Sequence, residues 1–190
     1  TNYSLVMTAS PATFAITVKE ITITPTAGQS KVYGSSDPVF AYTNSEWADN
    51  TNFTGALGRE SGETVAGSPY DYTLGDLDAG TNYSLVMTAS PATFAITAKE
   101  ITITPAAGQS KVYGASDPVF AYTNSEWADN TNLTGALGRE TGETVADSPY
   151  DYNLGDLSAG SNYSLVMTTS PATFAITAKE ITITPAAGQS

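Results

Sequence analysis

Two tryptophans, each followed by acids and amides, are the residues of this sequence with the clearest potential to bind a ligand. Trp47 lies in the segment 46–52 (EWADNTN), and Trp127 lies in the same seven letters at 126–132. An indole face beside carboxylates and amides is suited to stacking on a sugar ring and bonding to its hydroxyls. We favour the alternative that each tryptophan plugs the end of a small domain, because such a domain needs its large apolar side chains inside. Glycan contact by Trp47 and Trp127 stays as the second hypothesis.

Acidic side chains in loops could bind a hard cation. Asp76 with Asp78, or the loop acids Asp49 and Asp129, offer the oxygen ligands that calcium takes. Ser158 replaces Asp78 at the equivalent position of the next repeat, and no calcium loop of the usual spacing occurs. We therefore predict no metal site and no cofactor, with calcium at acidic loops or junctions as the alternative.

Histidine and cysteine are both absent from the sequence. This excludes the Ser–His–Asp and Cys–His arrangements of nucleophilic catalysis. A carboxylate pair could serve glycoside hydrolysis, but an 80-residue domain has little interior to spare for a sugar pocket. Lys99 or Lys111 could form an isopeptide bond with an asparagine, although strand lysines usually point into solvent. We predict no catalytic residues and a protein that is not an enzyme.

The charge balance restricts the partners. The net charge is −12, and the sequence contains no basic patch. Such a field repels nucleic acid and anionic membranes, and no apolar run approaches the ~20 residues that a membrane span needs. We predict neither nucleic-acid binding nor membrane insertion. Without cysteine, a secreted protein of this kind has to be stabilised by core packing alone.

An internal repeat of 80 residues organises the chain. Residues 21–100 and 101–180 differ at nine aligned positions, and each copy has a net charge of −6. Residues 1–20 match the end of a copy, and residues 181–190 match its beginning. We predict the C-terminal strands of a preceding repeat at 1–20, complete repeats at 21–100 and 101–180, and the first strand of a following repeat at 181–190.

The segment 92–105 (ATFAITAKEITITP) contains the predicted boundary between repeats. Phe94 and Ile96 alternate with polar residues, and after Lys99-Glu100 the apolar positions shift to Ile101 and Ile103. In one straight strand Ile96 and Ile101 would point to opposite faces, because side chains alternate with a period of two. We therefore predict the last strand of one domain, a Lys-Glu linker, and the first strand of the next domain.

Each repeat has the pattern of an all-β domain. About seven short strands separated by turn residues are typical of an antiparallel β-sandwich. Asn82-Tyr83 after Gly80, and Asn162-Tyr163 after Gly160, resemble the tyrosine corner of immunoglobulin-like domains. The alternative is a β-grasp-like domain with Glu126–Asn130 as a short helix. The predicted core comprises Phe94, Ile96, Ile101, Ile103, Phe120, Tyr122, Leu137, Tyr152, Leu154, Tyr163, Leu165 and Phe174.

The order of motifs in one repeat resembles a known family. ITITPAAGQSKVYGASDPVFAYT is followed by LTGALGRE, Tyr-x-Tyr, LSAGSNYSLVM and ATFAIT. Tyr113-Gly114 and the AGSNY corner are its most specific parts. This order is similar to the MBG domains of the YGX type, which occur in tandem in large bacterial surface and secreted adhesins. The resemblance covers a whole repeat and brings no catalytic residues.

The resemblance implies an extracellular bacterial module, at the cell surface or secreted, that spaces or displays another domain. We expect a non-catalytic, semi-rigid acidic stalk whose partners are the neighbouring repeats of its own chain. Two alternatives stay open. One is a multivalent array that binds glycans or surfaces, and the other is a filament in which like chains exchange strands. If the repeats form a stalk, we expect any binding of host or surface glycans to occur through another domain.

Overall fold

The residues that the structure describes form β-strands and loops. A computed structural model describes residues 2–7, 9, 12–47, 51–169 and 171–188, and the all-β prediction is confirmed over these residues. They contain no helix, and hence none that could cross a membrane. Glu126–Asn130 is an irregular loop, so the short helix that the β-grasp alternative placed there is wrong.

Fourteen strands are distributed over the described residues, seven in each copy of the sequence repeat. The strands are β1 (Lys19–Pro25), β2 (Ser30–Val32), β3 (Tyr42–Asn44), β4 (Gly58–Arg59), β5 (Tyr70–Thr73), β6 (Tyr83–Met87), β7 (Thr93–Thr97), β8 (Lys99–Pro105), β9 (Ser110–Val112), β10 (Tyr122–Asn124), β11 (Gly138–Arg139), β12 (Tyr150–Asn153), β13 (Tyr163–Met167) and β14 (Thr173–Thr177).

Each copy forms a three-stranded and a four-stranded sheet. In the second copy, β8 lies between β10 and β13, and the other sheet has the order β11-β12-β14-β9. The pairs β8–β10, β11–β12 and β12–β14 are antiparallel, but β8–β13 and β9–β14 are parallel. The sheets are therefore mixed, and the expectation of purely antiparallel sheets is wrong. The reason is that strands distant in sequence lie side by side, and period-two patterning does not encode strand direction.

One hydrophobic core in the second copy receives side chains from both of its sheets. Ile101 and Ile103 come from β8, and Phe174 and Ile176 come from β14. Phe120 joins them from a loop, with its ring 5.1 Å from that of Phe174. The buried members of this core are Ile101, Ile103, Phe120, Leu137, Tyr150, Tyr152, Leu157, Phe174 and Ile176.

The core predicted from the sequence is largely confirmed. Of the twelve predicted side chains, eight are buried, and Tyr122, Leu154, Tyr163 and Leu165 are half-buried against the core. The same aromatic arrangement occurs in the first copy, where the Phe40 ring lies 5.2 Å from Tyr72 and 5.1 Å from Phe94.

The predicted Lys-Glu linker is part of a strand. Strand β7 ends at Thr97 and β8 begins at Lys99, so Ala98 alone separates the two strands. Glu100 pairs with Ser164 in the parallel register of β8 with β13. The linker was misplaced because both residues are polar, although polar side chains also occur in strands where they are only partly buried or exposed.

Contacts divide the chain into two compact units. The first comprises residues 1–31, 36–62 and 67–95, and the second comprises residues 32–35, 63–66 and 96–190. Two short segments of the first sequence copy, 32–35 and 63–66, thus belong by their contacts to the second unit. The repeat boundaries at 20/21, 100/101 and 180/181 stay a prediction from the sequence.

Two isoleucines at the same place in the motif ITITP provide a matched test of the core. Ile103 is 0% exposed and Ile183 is 84% exposed. We expect Ile103→Ala to lower the free energy of unfolding by about 2–5 kcal/mol, because it leaves a cavity in the core. Ile183→Ala should change it by less than about 0.5 kcal/mol. Urea denaturation followed by tryptophan fluorescence measures both, and equal effects would contradict the assigned core.

Candidate functional site

A cluster of four charged side chains lies against the core of the second unit. The Lys111 ammonium is 2.6 Å from Asp117 Oδ1 and 2.5 Å from Glu143 Oε2. The Arg139 guanidinium forms a fork on Asp117, with Nε 2.7 Å from Oδ2 and Nη2 3.0 Å from Oδ1. Both cationic side chains are almost fully buried, whereas the acids lie nearer the surface. We call these four residues the ion-pair cluster.

Short strands position the cations of the ion-pair cluster. Lys111 is the central, inward-facing residue of β9, and Arg139 ends β11. The Arg139 guanidinium carbon lies 5.1 Å from the ring centre of Tyr150 and 5.4 Å from that of Phe174. Cations over aromatic faces are stabilised by the ring quadrupole, which offsets part of the cost of removing the charge from water.

Every member of the ion-pair cluster is held in its charged form. The hydrogen bond from Arg139 and that from Lys111 keep the pKa of Asp117 below its ordinary value. The hydrogen bonds to Asp117 and Glu143 raise the pKa of Lys111. A general acid or base works best when its pKa lies near the ambient pH, and an amine has to be neutral to attack a carbonyl. These shifts therefore favour a structural role for the cluster over proton transfer.

The two lysines considered for isopeptide bonds have carboxylate partners. Lys111 contacts Asp117 and Glu143, and Lys99 Nζ lies 2.6 Å from Glu126 Oε2. None of these three ion pairs involves an asparagine. Lys99 is also held by its backbone, because its N–H donates to the carbonyl oxygen of Asn162 at 3.0 Å.

The first copy carries the equivalent charges. Lys31 Nζ lies 2.6 Å from Asp37 Oδ1, and Arg59 forms the same fork on Asp37. Arg59 also lies over the Tyr70 and Phe94 rings. Sequence reasoning missed this cluster, although one signal was present: a lysine in the middle of a three-residue strand, SKV, occurs at the same place in both copies.

The tryptophans are half-buried among aromatic rings. The Trp127 ring centre lies 5.1 Å from that of Tyr163, and the Trp47 ring centre lies 5.2 Å from those of Phe53 and Tyr83. All three contacts are edge-to-face, and Trp127 packs against the core. This environment favours the plug interpretation, and glycan contact stays a prediction. Asp49 and Asn50, which would accompany Trp47, lie outside the described residues.

The chain turns at Gly160 just before Tyr163, while the predicted tyrosine corner, which a hydrogen bond from the tyrosine side chain defines, stays a prediction. The Tyr163 N–H donates to the carbonyl oxygen of Gly160 at 3.2 Å, and Gly160 has the positive φ, 77°, that favours glycine. The Tyr163 ring packs edge-to-face against Trp127 and, at 5.3 Å, against Tyr33. The corner thus presents an aromatic surface.

The loop acids considered for calcium accept hydrogen bonds from the protein itself. Asp76 Oδ1 accepts from the Ala56 N–H at 2.8 Å, and Asp78 Oδ1 accepts from the Gly80 N–H at 3.1 Å. Asp129 Oδ1 accepts from the N–H and the hydroxyl of Thr131. Among the described residues, no three acids lie close enough together to hold a metal ion. Aspartates that bond to a backbone N–H two residues on are common in turns.

Comparison with family models identifies both copies. The model of the MBG domain (YGX type) matches residues 21–95 and 101–175. These matches cover most of the chain, and the protein therefore belongs to the MBG domain (YGX type) family, with two such domains in tandem. A search of curated proteins and a search of solved structures each found no match.

The tandem match supports a coarse description of the protein. Tandem MBG domains are typical of the repeat regions of surface proteins, and the family is one of structural domains. The dipeptide Tyr-Gly occurs at the same place in both matched segments, as Tyr33-Gly34 and Tyr113-Gly114, and we call it the YGX motif.

The ion-pair cluster predicts a loss of stability in acid. The folded-state pKa of Asp117 is depressed, so its ion pairs stabilise the fold above about pH 4, the ordinary range of aspartate. This contribution is lost as the pH falls through the lower, folded-state pKa. We expect Asp117→Asn to lower the free energy of unfolding at pH 7 by about 1–3 kcal/mol, because Arg139 and Lys111 lose a charged acceptor.

Urea denaturation at several pH values between 7 and 2 measures this effect. The difference between wild type and Asp117→Asn should shrink as the wild-type carboxylate becomes protonated. The exposed Asp151 provides the control, and Asp151→Asn should behave as wild type at every pH. A constant difference between wild type and Asp117→Asn down to pH 2 would contradict the assigned role of Asp117.

Proposed function

We propose that the chain is a non-catalytic repeat region of a bacterial extracellular adhesin or surface fibre, and that it acts as a semi-rigid stalk extending a distal functional domain. The observation that carries the proposal is the connection between tandem MBG domains. One residue, Ala98, lies between the last strand of the first copy and the first strand of the second. A flexible linker needs several freely rotating residues, so a connection of this length supports limited hinging.

The residues that follow Ala98 are also held in place. Lys99 and Glu100 lie in the parallel ladder with β13, and the Lys99 ammonium is paired with Glu126. A pulling force along the chain would therefore act directly on a hydrogen-bonded strand. This arrangement supports load transfer from one domain to the next, which is what a stalk requires.

The chemistry of the side chains favours the role of a spacer over the role of a ligand-binding domain. The buried cations form ion pairs, and most of the large aromatic side chains pack in or against the cores. The net charge of −12 keeps such an array soluble and disfavours association with anionic surfaces. The absence of cysteine makes the fold independent of the redox state of its surroundings.

Two alternatives assign the repeats a binding or assembly role. In the first, each repeat contributes a weak glycan site at Trp47 or Trp127, and many copies act together. In the second, like chains assemble into a filament by strand exchange. The half-buried, edge-packed tryptophans favour the stalk over the first alternative.

Two equivalent, exposed valines allow the stiffness to be measured. Val39 and Val119 are 93% and 92% exposed and lie in different units, and the chain has no other cysteine to interfere with labelling. In the variant Val39→Cys/Val119→Cys carrying two spin labels, we expect one narrow distance distribution by pulsed electron paramagnetic resonance. A distribution as broad as that of a flexible linker would overturn the semi-rigid stalk.

A glycan array separates the stalk from the first alternative. We expect no binding by the wild-type chain or by a chain with additional repeats. Binding that grows with the number of repeats and is abolished by Trp127→Ala, while Tyr122→Phe leaves it unchanged, would favour the glycan-binding array.

A further inference from the structure

The tyrosine of the YGX motif contributes little to its own domain. The Tyr113 N–H donates to the carbonyl oxygen of Thr177 at 2.8 Å, and Gly114, with φ of 82°, turns the chain away. The Tyr113 side chain is 52% exposed and is not a member of the core. A large aromatic side chain that its own domain leaves in solvent requires another explanation.

The equivalent tyrosine of the first copy, Tyr33, has an aromatic partner. Tyr33 belongs by its contacts to the second compact unit. The Tyr33 ring packs edge-to-face on Tyr163, with ring centres 5.3 Å apart. Nearby, the Val65 N–H donates to Asn162 Oδ1 at 2.9 Å. The segments 32–35 and 63–66 belong to this unit through such contacts. The Asn-Tyr corner after Gly160 is thus covered by one tyrosine and one valine.

The residues at this contact are less exposed than the residues at the same positions of the other copy, which lack the contact. Tyr33, Val65 and Ala98 are half-buried, whereas their equivalents Tyr113, Val145 and Ala178 are exposed. On the other side of the contact, Asn162 is half-buried and its equivalent Asn82 is exposed. The sequences around these positions are nearly identical, so the difference in exposure comes from the presence or absence of a neighbour.

We propose that Tyr113, Val145 and Ala178 form a docking surface for the Asn-Tyr corner of a further MBG repeat in the same polypeptide. The surface borders an open, mainly apolar groove of about 490 Å³, lined by Tyr113, Thr144, Val145, Ala146, Ala178, Lys179 and Ile181. The incoming tyrosine packs edge-to-face on Tyr113. The incoming asparagine accepts a hydrogen bond from the Val145 N–H, which has no acceptor among the described residues.

The sequence identifies this occupant. Residues 181–190 repeat residues 101–110 letter for letter, so the segment that follows the surface has the sequence with which each repeat begins. A contact made by two or three side chains is far smaller than a stable interface between free proteins, for which about 800 Å² per partner is typical. A covalent connection supplies the effective concentration that makes so small a contact persistent. This inference deepens the proposed stalk, because docking at each junction would stiffen the array.

Cysteine cross-linking tests the docking surface, since the chain has no cysteine of its own. The test protein is the full chain extended by a copy of residues 111–190, which completes a third repeat. One cysteine replaces Val145, and the other replaces the asparagine of the added repeat that corresponds to Asn162. We expect an intrachain disulfide on mild oxidation, seen as the loss of two hydrogen masses and as faster migration on a non-reducing gel.

Two further variants calibrate the cross-link. Val65→Cys/Asn162→Cys in the unextended chain places the cysteines at the contact already present, and it should form the same disulfide at a similar rate. In the extended chain, Val119→Cys replaces Val145→Cys as the negative control, because Val119 is 92% exposed and lies outside the docking surface. Adding Tyr113→Ala to the test protein should slow cross-linking by roughly three- to tenfold, the value of an aromatic pair, while Tyr113→Phe should not.

The outcomes separate the docking surface from the stalk. A cross-link no faster than that of the Val119→Cys control, while Val65→Cys/Asn162→Cys reacts, would overturn the docking surface. Disulfides formed between chains and not within them would overturn it as well, because the occupant would then be a second copy. Loss of docking together with a narrow distance distribution between positions 39 and 119 would leave the stalk intact. A broad distribution would refute the stalk itself.

Discussion

The buried ion pair between Arg139 and Asp117 is the interaction on which the rest of each domain depends. It connects β11 to the turn after β9 and places a guanidinium over the Tyr150 and Phe174 rings. A cation removed from water is costly unless it is paired and hydrogen-bonded. The fork on Asp117, the ion pair of Lys111 and the aromatic faces together meet that requirement. The domain is small and contains neither cysteine nor histidine. The cluster adds stabilising contacts between the core and the acids nearer the surface.

The pairing of cations within each domain also explains why the surface charge is negative. The first copy repeats the fork with Arg59 and Asp37, so the few cations of the chain are largely engaged within their own domains. The acids that remain give each repeat its negative field. Side chains that are held in their charged forms and in fixed geometry suit a structural role better than proton transfer.

The junction between domains follows from where strands begin. Strand β8 starts at Lys99, so the Lys-Glu pair predicted to be a linker belongs to a sheet. The connection between β7 and β8 is therefore the single residue Ala98. The YGX tyrosine lies near the end of each repeat's own sheet, where a glycine turns the chain and leaves the ring outside the core. A motif residue excluded from its own core is well placed to contact a neighbour.

Residue patterns alone determined the family, the 80-residue period, the all-β class and most of the core, because alternating apolar positions such as Phe94-Ile96 and Ile101-Ile103 report burial locally. They left Tyr150, Leu157 and the buried Lys111 unassigned, and they misplaced the linker. Only the tertiary structure decided strand direction, the parallel pairing of β8 with β13, and the meeting of Lys111, Asp117 and Arg139. These features join residues far apart in sequence. A period-two pattern states which face a side chain occupies, whereas the partner on that face depends on how distant strands are brought together.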